Sequence, residues 1–273
     1  MKIEELKKNE NAEIVFDGER GDLYIELDGK YAIAYNDDYY EEIFEIPDEN
    51  ILTDANGDVV WFDAYVSYEG YYCGVKKDGK WAIIDYKEHN FNKDDYDWVD
   101  IIGEYLETVY NPSTDKWEGC YRAFDGEKDV LYGEASGILL RADAIIFHDC
   151  CEIKIIYKQG DKWGLMNETE LMNCDVDAEA PYLSVEKFTD SRSMEPKFIV
   201  ENDEGYALWD DEEQTDFWKG YLAVESRSNP DLTEYFYFTN GDEETDMVYG
   251  WFCCDEHEAE CLNEARNIYN SLH

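Results

Sequence analysis

Cys73-Gly74-Val75-Lys76-Lys77-Asp78-Gly79-Lys80-Trp81-Ala82-Ile83-Ile84-Asp85 holds two strand-forming runs separated by Asp-Gly. Asp-Gly readily takes the positive φ angles of a tight turn, and Trp81 and Ile83, two apart, fall on one face of the returning strand. The stretch therefore predicts a β-hairpin. Working outward, Tyr24-Ile25-Glu26-Leu27-Asp28-Gly29-Lys30-Tyr31-Ala32-Ile33 repeats it closely, with Tyr31 at the position of Trp81. A third copy, from Ile155 to Leu165, exchanges the turn residues to Gly160-Asp161 but keeps Lys162-Trp163; a fourth, from Phe198 to Leu208, loses the lysine. The segments Ser136-Gly137-Ile138-Leu139-Leu140 and Val248-Tyr249-Gly250-Trp251-Phe252 read as degenerate copies. Such self-similarity marks a repeat architecture, because one hairpin cannot bury its apolar face alone.

The expected fold is mainly β: repeated hairpins in a meander, assembled in a solenoid-like or sandwich-like way and closed by a C-terminal helix. Residues 1–12 read as a short lead-in and 13–252 as the repeat domain, with a division into two groups of repeats, about 13–110 and 119–252, left open. Asn56-Gly57-Asp58 predicts another turn, followed by a strand through Val59-Val60-Trp61-Phe62. Residues 253–273 predict a helix, with acidic residues in its first turn and Cys261, Leu262, Ala265, Ile268, Tyr269 and Leu272 at helical spacing to cap the last strands.

The chain of 273 residues carries 67 Asp+Glu against 23 Lys+Arg, a formal net charge of -44. A charge of this size raises the question of disorder, but 16% aromatic residues spread along the sequence supply buried area with few rotatable bonds. The expectation is a folded protein with an acidic exterior. Bare nucleic acid is excluded as a partner for want of a basic patch, and anionic membranes by the same repulsion. No apolar run approaches the length of a membrane span, and residues 1–8 are charged throughout, so the expected location is cytoplasmic with the eight cysteines reduced.

Gly79-Lys80-Trp81-Ala82-Ile83-Ile84-Asp85 and Asp161-Lys162-Trp163-Gly164-Leu165-Met166 resemble the signature of WG-repeat proteins, bacterial modules whose units read roughly Gly-Lys-Trp-Gly-hydrophobic-Ile-Asp. Only Trp163-Gly164 keeps the name-giving pair; Ala32, Ala82 and Ala207 stand where the family has Gly, and about half of the chain is covered. The resemblance implies a β-hairpin assembly used as an interaction scaffold and does not imply catalysis.

Two groups of metal-ligating residue types stand out. His148, Cys150 and Cys151 lie close in sequence, as do Cys253, Cys254, His257 and Cys261. Adjacent strand cysteines point to opposite faces and the spacings match no zinc pattern, so buried thiols are the preferred reading and no metal or other cofactor is expected. Asp54-Ala55-Asn56-Gly57-Asp58 begins like a calcium loop, but Val59 and Tyr65 stand where the glycine and the bidentate glutamate would be; an Asn-Gly turn is preferred. Carboxylate pairs are too numerous to single out, and no catalytic motif is present, so the chain reads as a non-enzyme.

The leading expectation is an interaction protein that neutralises a basic, nucleic-acid-acting partner. Its carboxylates would imitate phosphates and steer association. An immunity protein for a nuclease toxin fits, as does a phage anti-defence or anti-CRISPR-like inhibitor. Charge density points to Asp37, Asp38, Glu41, Glu42, Asp210, Asp211, Glu212 and Glu213 as the partner-binding residues. The alternative is a small-ligand or glycan-binding module, which predicts several of Tyr39, Tyr40, Tyr71, Tyr72, Tyr235 and Tyr237 exposed together beside a pocket.

Overall fold

A computed structural model describes the whole chain except residues 18–21, 36–39, 69–70, 88–89, 149–152, 190–195, 211–212, 225–234, 243–245, 250–254 and 273. Its hairpin turns follow their residues. Asp28 and Gly29 have φ of 54° and 75°, and Asp78 and Gly79 of 54° and 84°, both positive as a type I′ turn requires. In the third copy only Gly160 is positive, at 61°, the φ pattern of a type II′ turn with its glycine first. The fourth uses an Asx turn, with Asn202 Oδ1 accepting from the amides of Glu204 (2.8 Å) and Gly205 (3.2 Å).

The chain divides into two compact units, Met1–Ala142 with Leu171–Ala178, and Asp143–Glu170 with Glu179–His273. In chain order the elements are α1 (Ile3–Leu6), β1 (Glu13–Asp17), β2 (Asp22–Leu27), β3 (Lys30–Ala34), β4 (Thr53–Asp54), β5 (Ala64–Ser67), β6 (Tyr72–Lys77), β7 (Lys80–Asp85), β8 (Asn90–Phe91), β9 (Ile101–Asn111), β10 (Lys116–Phe124), β11 (Asp129–Gly133) and β12 (Gly137–Ala142). There follow β13 (Ala144–His148), β14 (Lys154–Gln159), β15 (Lys162–Asn167), α2 (Glu168–Asn173), β16 (Ser184–Thr189), β17 (Pro196–Asn202), β18 (Gly205–Asp210), β19 (Glu213–Gln214), β20 (Gly220–Val224), β21 (Tyr235–Thr239), β22 (Met247–Tyr249) and α3 (Asp255–Leu272).

The fold is mainly β, as expected; each of the first three motif copies forms the last two strands of a small antiparallel sheet, and the fourth forms the middle two strands of a four-stranded one. The three-stranded sheets are β1-β2-β3, β5-β6-β7, β13-β14-β15 and β20-β21-β22; β16-β17-β18 adds the short β19. Departing from this pattern, β9 to β12 form a four-stranded meander with two register shifts in the β9–β10 pairing and one in the β11–β12 pairing. Thr53-Asp54 pairs in parallel with Asn90-Phe91. The strand predicted at residues 59–62 is instead a set of isolated bridges, Val59 to Thr53 and Phe62 to Tyr31, because its residues serve different partners.

One backbone device joins successive sheets. The aromatic residue after each turn exchanges both hydrogen bonds with a residue just before the next sheet: Tyr31 with Phe62, Trp81 with Val99, Trp163 with Tyr182, and Tyr206 with Trp218, all at 2.7–2.9 Å. The following amide then donates into that next sheet, Asp63 to Lys76 O at 2.7 Å and Asp100 to Phe124 O at 2.8 Å. Lysines of the motif point to the same links, Lys30 pairing with Asp63 at 3.2 Å and Lys80 with Asp100 at 2.8 Å.

Side-chain volume explains why only one copy keeps Trp-Gly. The residue after the aromatic is buried and faces a cross-strand partner: Ala32 opposite Ile25, Ala82 opposite Val75, Ala207 opposite Val200, and Gly164 opposite Tyr157. A Cβ at position 164 would run into the Tyr157 ring, so the one bulky partner is matched by the one glycine.

Both ends carry helical plugs. Leu6 of α1 is fully buried among Leu23, Ile25, Ala34, Ile46, Ile51 and Val59. In α3, Cys261 and Ala265 are buried against Val224, Tyr235, Tyr237 and Val248, with Leu262, Ile268 and Tyr269 beside them. Leu272 departs from the expected stripe: it is 65% exposed, because the apolar contact with the sheet ends one turn earlier, at Tyr269. Arg266 fixes the helix to the sheet through Asp246 at 2.9 Å, where the Tyr237 hydroxyl also donates at 2.6 Å.

Candidate functional site

In the first unit, two neighbouring cavities share one wall residue, Glu134. The first, of about 470 Å³, is lined by Asp85, Asp94, Asp95, Asp97, Glu134, Tyr72, Tyr96 and Tyr132 together with Ile83 and Ala135-Ser136-Gly137. Among the described residues it has five carboxylates and no basic side chain. Asp94 and Asp95 come from the short 3-10 turn Lys93–Asp95, capped by Asn92 accepting from the Asp94 amide; Glu134 comes from the β11–β12 turn. Backbone donors hold some of them: Asp97 Oδ2 accepts from Ile138 N at 3.0 Å and Asp85 Oδ1 from Lys87 N at 2.9 Å. Such bonds orient the carboxylates without removing their charge, so the cavity presents a fixed negative field to a cation.

The second cavity, of about 530 Å³, is aromatic and lined by Val66, Ser67, Tyr68, Tyr105, Thr108, Trp117, Gly119, Tyr121 and Glu134. Tyr121 is the buried floor, with Tyr68 4.6 Å and Tyr105 5.6 Å away between ring centroids. Glu134 accepts from the Tyr121 hydroxyl at 2.7 Å and from Gly119 N at 3.1 Å. Burial first, and then the Glu134 carboxylate, push the Tyr121 phenol well above its ordinary value; burial, with Cys73 and Glu134 adding, raises Tyr68 to about 12. Both therefore remain neutral at physiological pH and act as ring surfaces and donors.

Beneath these cavities Glu118 is buried and fully satisfied. It accepts from Asn111 Nδ2 at 2.9 Å, from the amides of Ala135 and Ser136 at 2.9 Å each, and from Ser136 Oγ at 2.5 Å. Its role is to hold the β11–β12 turn that carries Glu134. Burial and the neighbouring Glu118 push the Cys120 thiol up to about 12, which leaves it unreactive.

Of the residues assigned by charge density, Asp37, Asp38, Asp211 and Glu212 lie outside the described residues. Glu41 and Glu42 are exposed in the first unit, just before the turn Ile43–Glu45. Asp210 and Glu213 are register partners across β18 and β19 in the second unit. Neither cavity is lined by any of the four that the structure describes; the residues that do line them, Asp85, Asp94, Asp95, Asp97, Glu134, Tyr105 and Trp117 among them, do not stand out by charge density.

The tyrosine platform of the alternative expectation does not form from the residues named for it. Tyr235 and Tyr237 are buried, because β21 is covered on both faces, by α3 on one and by the cluster around Phe236 and Phe238 on the other. Tyr71 is exposed, Tyr40 and Tyr72 are half-buried, and Tyr39 lies outside the described residues.

Of the two Cys/His groups, Cys150, Cys151, Cys253 and Cys254 lie outside the described residues, while His148 Nδ1 lies 3.1 Å from Lys187 Nζ. Among the described residues no group of three His, Cys, Asp or Glu side chains is placed to hold a metal ion. Asp54 and Asp58 of the calcium-like run are engaged otherwise, Asp54 by the amides of Asn56 and Asp58, and Asp58 by Lys2 at 3.2 Å. No helix among the described residues is long and apolar enough to cross a membrane. No protein-family model and no curated protein matches the sequence.

Proposed function

We propose that this chain is a divergent WG-repeat interaction protein that binds and neutralises a basic, nucleic-acid-acting protein, with no catalytic role of its own. The observation that carries the reading is the acidic cavity, where Asp85, Asp94, Asp95, Asp97 and Glu134 converge with no lysine or arginine lining it among the described residues, in a chain of net charge -44. Clefts lined by one sign of charge focus the field, raise association rates for an oppositely charged partner and reject nucleic acid. In the same unit, the exposed Glu41 and Glu42 add to the negative charge. A nuclease, countered by an immunity protein or a phage anti-defence inhibitor in the cytoplasm, is the partner class this chemistry fits; the buried cysteines Cys73, Cys120 and Cys261 accord with a reducing compartment.

The test is affinity capture from a lysate with the wild-type chain and with Asp94→Lys/Asp95→Lys, two exposed positions whose reversal leaves the core untouched. The wild type should capture a basic nuclease or nucleic-acid-binding protein, inhibit it in a purified assay, and lose affinity steeply with added salt. The reversed variant should bind at least about tenfold more weakly. Partners without basic character, or equal affinity of the two chains, would overturn the reading.

A further inference from the structure

The chain repeatedly covers its own aromatic rings with its own lysines. Lys76 Nζ lies 5.8 Å from the Trp81 ring centroid, Lys158 5.5 Å from Trp163, Lys93 5.5 Å from Trp98, and Lys87 2.9 Å from the exposed Tyr71. In the motif copies the pairing is built into the register, since Lys76 and Lys158 are the cross-strand partners of Trp81 and Trp163. The aromatic cavity breaks this habit. Trp117 is 65% and Tyr105 50% exposed, yet the register partner of Trp117 is Tyr110, and among the described residues no cation lies over either ring.

The cavity's polar groups narrow what would complete it. The Tyr121 hydroxyl is committed to Glu134, that of Tyr105 is 2.6 Å from Thr108 Oγ1, and Ser67 Oγ is 2.8 Å from the Tyr24 hydroxyl. Besides the Tyr68 hydroxyl and the Trp117 indole N–H, two donors, what remains lining the space is ring surface, the exposed Val66, and the Glu134 carboxylate, which has no cationic partner among the described residues. A sugar would need several uncommitted donors and acceptors, and a bare ammonium would need acceptors to replace its water. An alkylated ammonium needs neither: it is weakly hydrated, is attracted to ring faces and gains from one nearby negative charge.

We infer that the cleft formed by Tyr68, Tyr105, Trp117 and Tyr121 over Glu134 is a binding site for an alkylated ammonium group. The group would come either from a free choline-type molecule or from an N-methylated lysine side chain. This goes beyond the acidic-partner reading and does not depend on it, since its recognition elements are rings and its probe is a small molecule.

The experiment is a titration of the full chain with choline and with its neutral isostere 3,3-dimethylbutan-1-ol, followed in the wild type by the indole N–H resonance of Trp117, assigned from its loss in Trp117→Phe, and in every variant by isothermal titration calorimetry. Choline should shift that resonance while the alcohol does not. Trp117→Ala should weaken choline at least about tenfold, and Glu134→Gln about threefold or more, with unchanged circular dichroism. A peptide carrying trimethyllysine provides the second arm: binding about tenfold tighter than choline assigns the site to a methylated protein, and equal binding to a free ammonium compound. Equal response to choline and the alcohol, or unchanged choline affinity in Trp117→Ala together with Tyr105→Leu, would overturn the inference.

Discussion

Asp161-Lys162-Trp163 and Asp115-Lys116-Trp117 are the same tripeptide in two different sheets. In β15 the tryptophan opens the third strand, bridges to Tyr182 and sits under Lys158; in β10 it opens the second strand, faces Tyr110 and stays 65% exposed. Identical local sequence thus yields a structural joint in one place and an uncovered ring in the other. What separates them is the cross-strand partner and the presence or absence of a linking segment to bridge, both set by tertiary context. The regular sheets serve construction, and the sheet that departs from their pattern carries the open surface.

The regular side of this comparison breaks most severely at Gly164. Placing any Cβ there forces the buried Tyr157 ring to move, so Gly164→Ala should cost about 2–3 kcal/mol, although alanine is what the other copies carry. Tyr157→Val should cost about 2–4 kcal/mol alone. Combined, they recreate the pair Val75 and Ala82, and the double variant should be more stable than the sum of the two losses by about 1–2 kcal/mol, measured by denaturant unfolding. Strict additivity would mean that Tyr157 is not the reason for the glycine.

The departing sheet depends on a side-chain network where the others use backbone bridges. Glu118→Ala removes the acceptor of four hydrogen bonds and strands the amides of Ala135 and Ser136. A loss of about 2–4 kcal/mol is expected, together with weaker choline binding because the turn holding Glu134 loosens. Comparable destabilisation with choline affinity intact would separate that turn from the site.

The motif hairpins were legible because Asp28-Gly29 and Asp78-Gly79 meet a backbone requirement that few residues satisfy, and because Ala32, Ala82 and Ala207 repeat in phase. Glu13–Asp17 is marked by the Asp17-Gly18 dipeptide that follows it, whereas another first strand, Ala64–Ser67, carries no turn signal of its own and gains its place only by pairing. At the candidate site the limit was different in kind. Charge density selects the loops richest in carboxylates, whereas the acidic cavity joins Asp94 and Asp95 to Glu134 across two sheets, a juxtaposition absent from linear sequence. The burial of Tyr235 and Tyr237 did have a signal: Tyr235-Phe236-Tyr237-Phe238 lacks the apolar-polar alternation of a half-exposed strand.

The smallest effect concerns ion pairs on the two sides of the comparison. In the regular sheets Lys80 and Asp100 are both about half exposed, with side-chain exposures of 46% and 40%, so Lys80→Ala should change stability by no more than about 0.5 kcal/mol. In the departing sheet Asp125 is 14% exposed, and its carboxylate accepts from Arg141 Nε and from the amides of Lys128 and Glu127. Burial opposes its ionisation, but Arg141 and the two amides outweigh it and hold the carboxyl at about 2, below the ordinary 3.8. A depressed carboxyl stabilises the fold fully above its unfolded value and loses that contribution as pH falls from there toward its folded value. Asp125→Asn should therefore cost about 1–2 kcal/mol near neutrality, and its deficit relative to wild type should shrink as pH falls below about 4, read from urea midpoints across the range. A deficit that stays constant down to pH about 2 would show that the Asp125 charge contributes nothing, and that the departing sheet, like the regular ones, does not rely on its ion pairs.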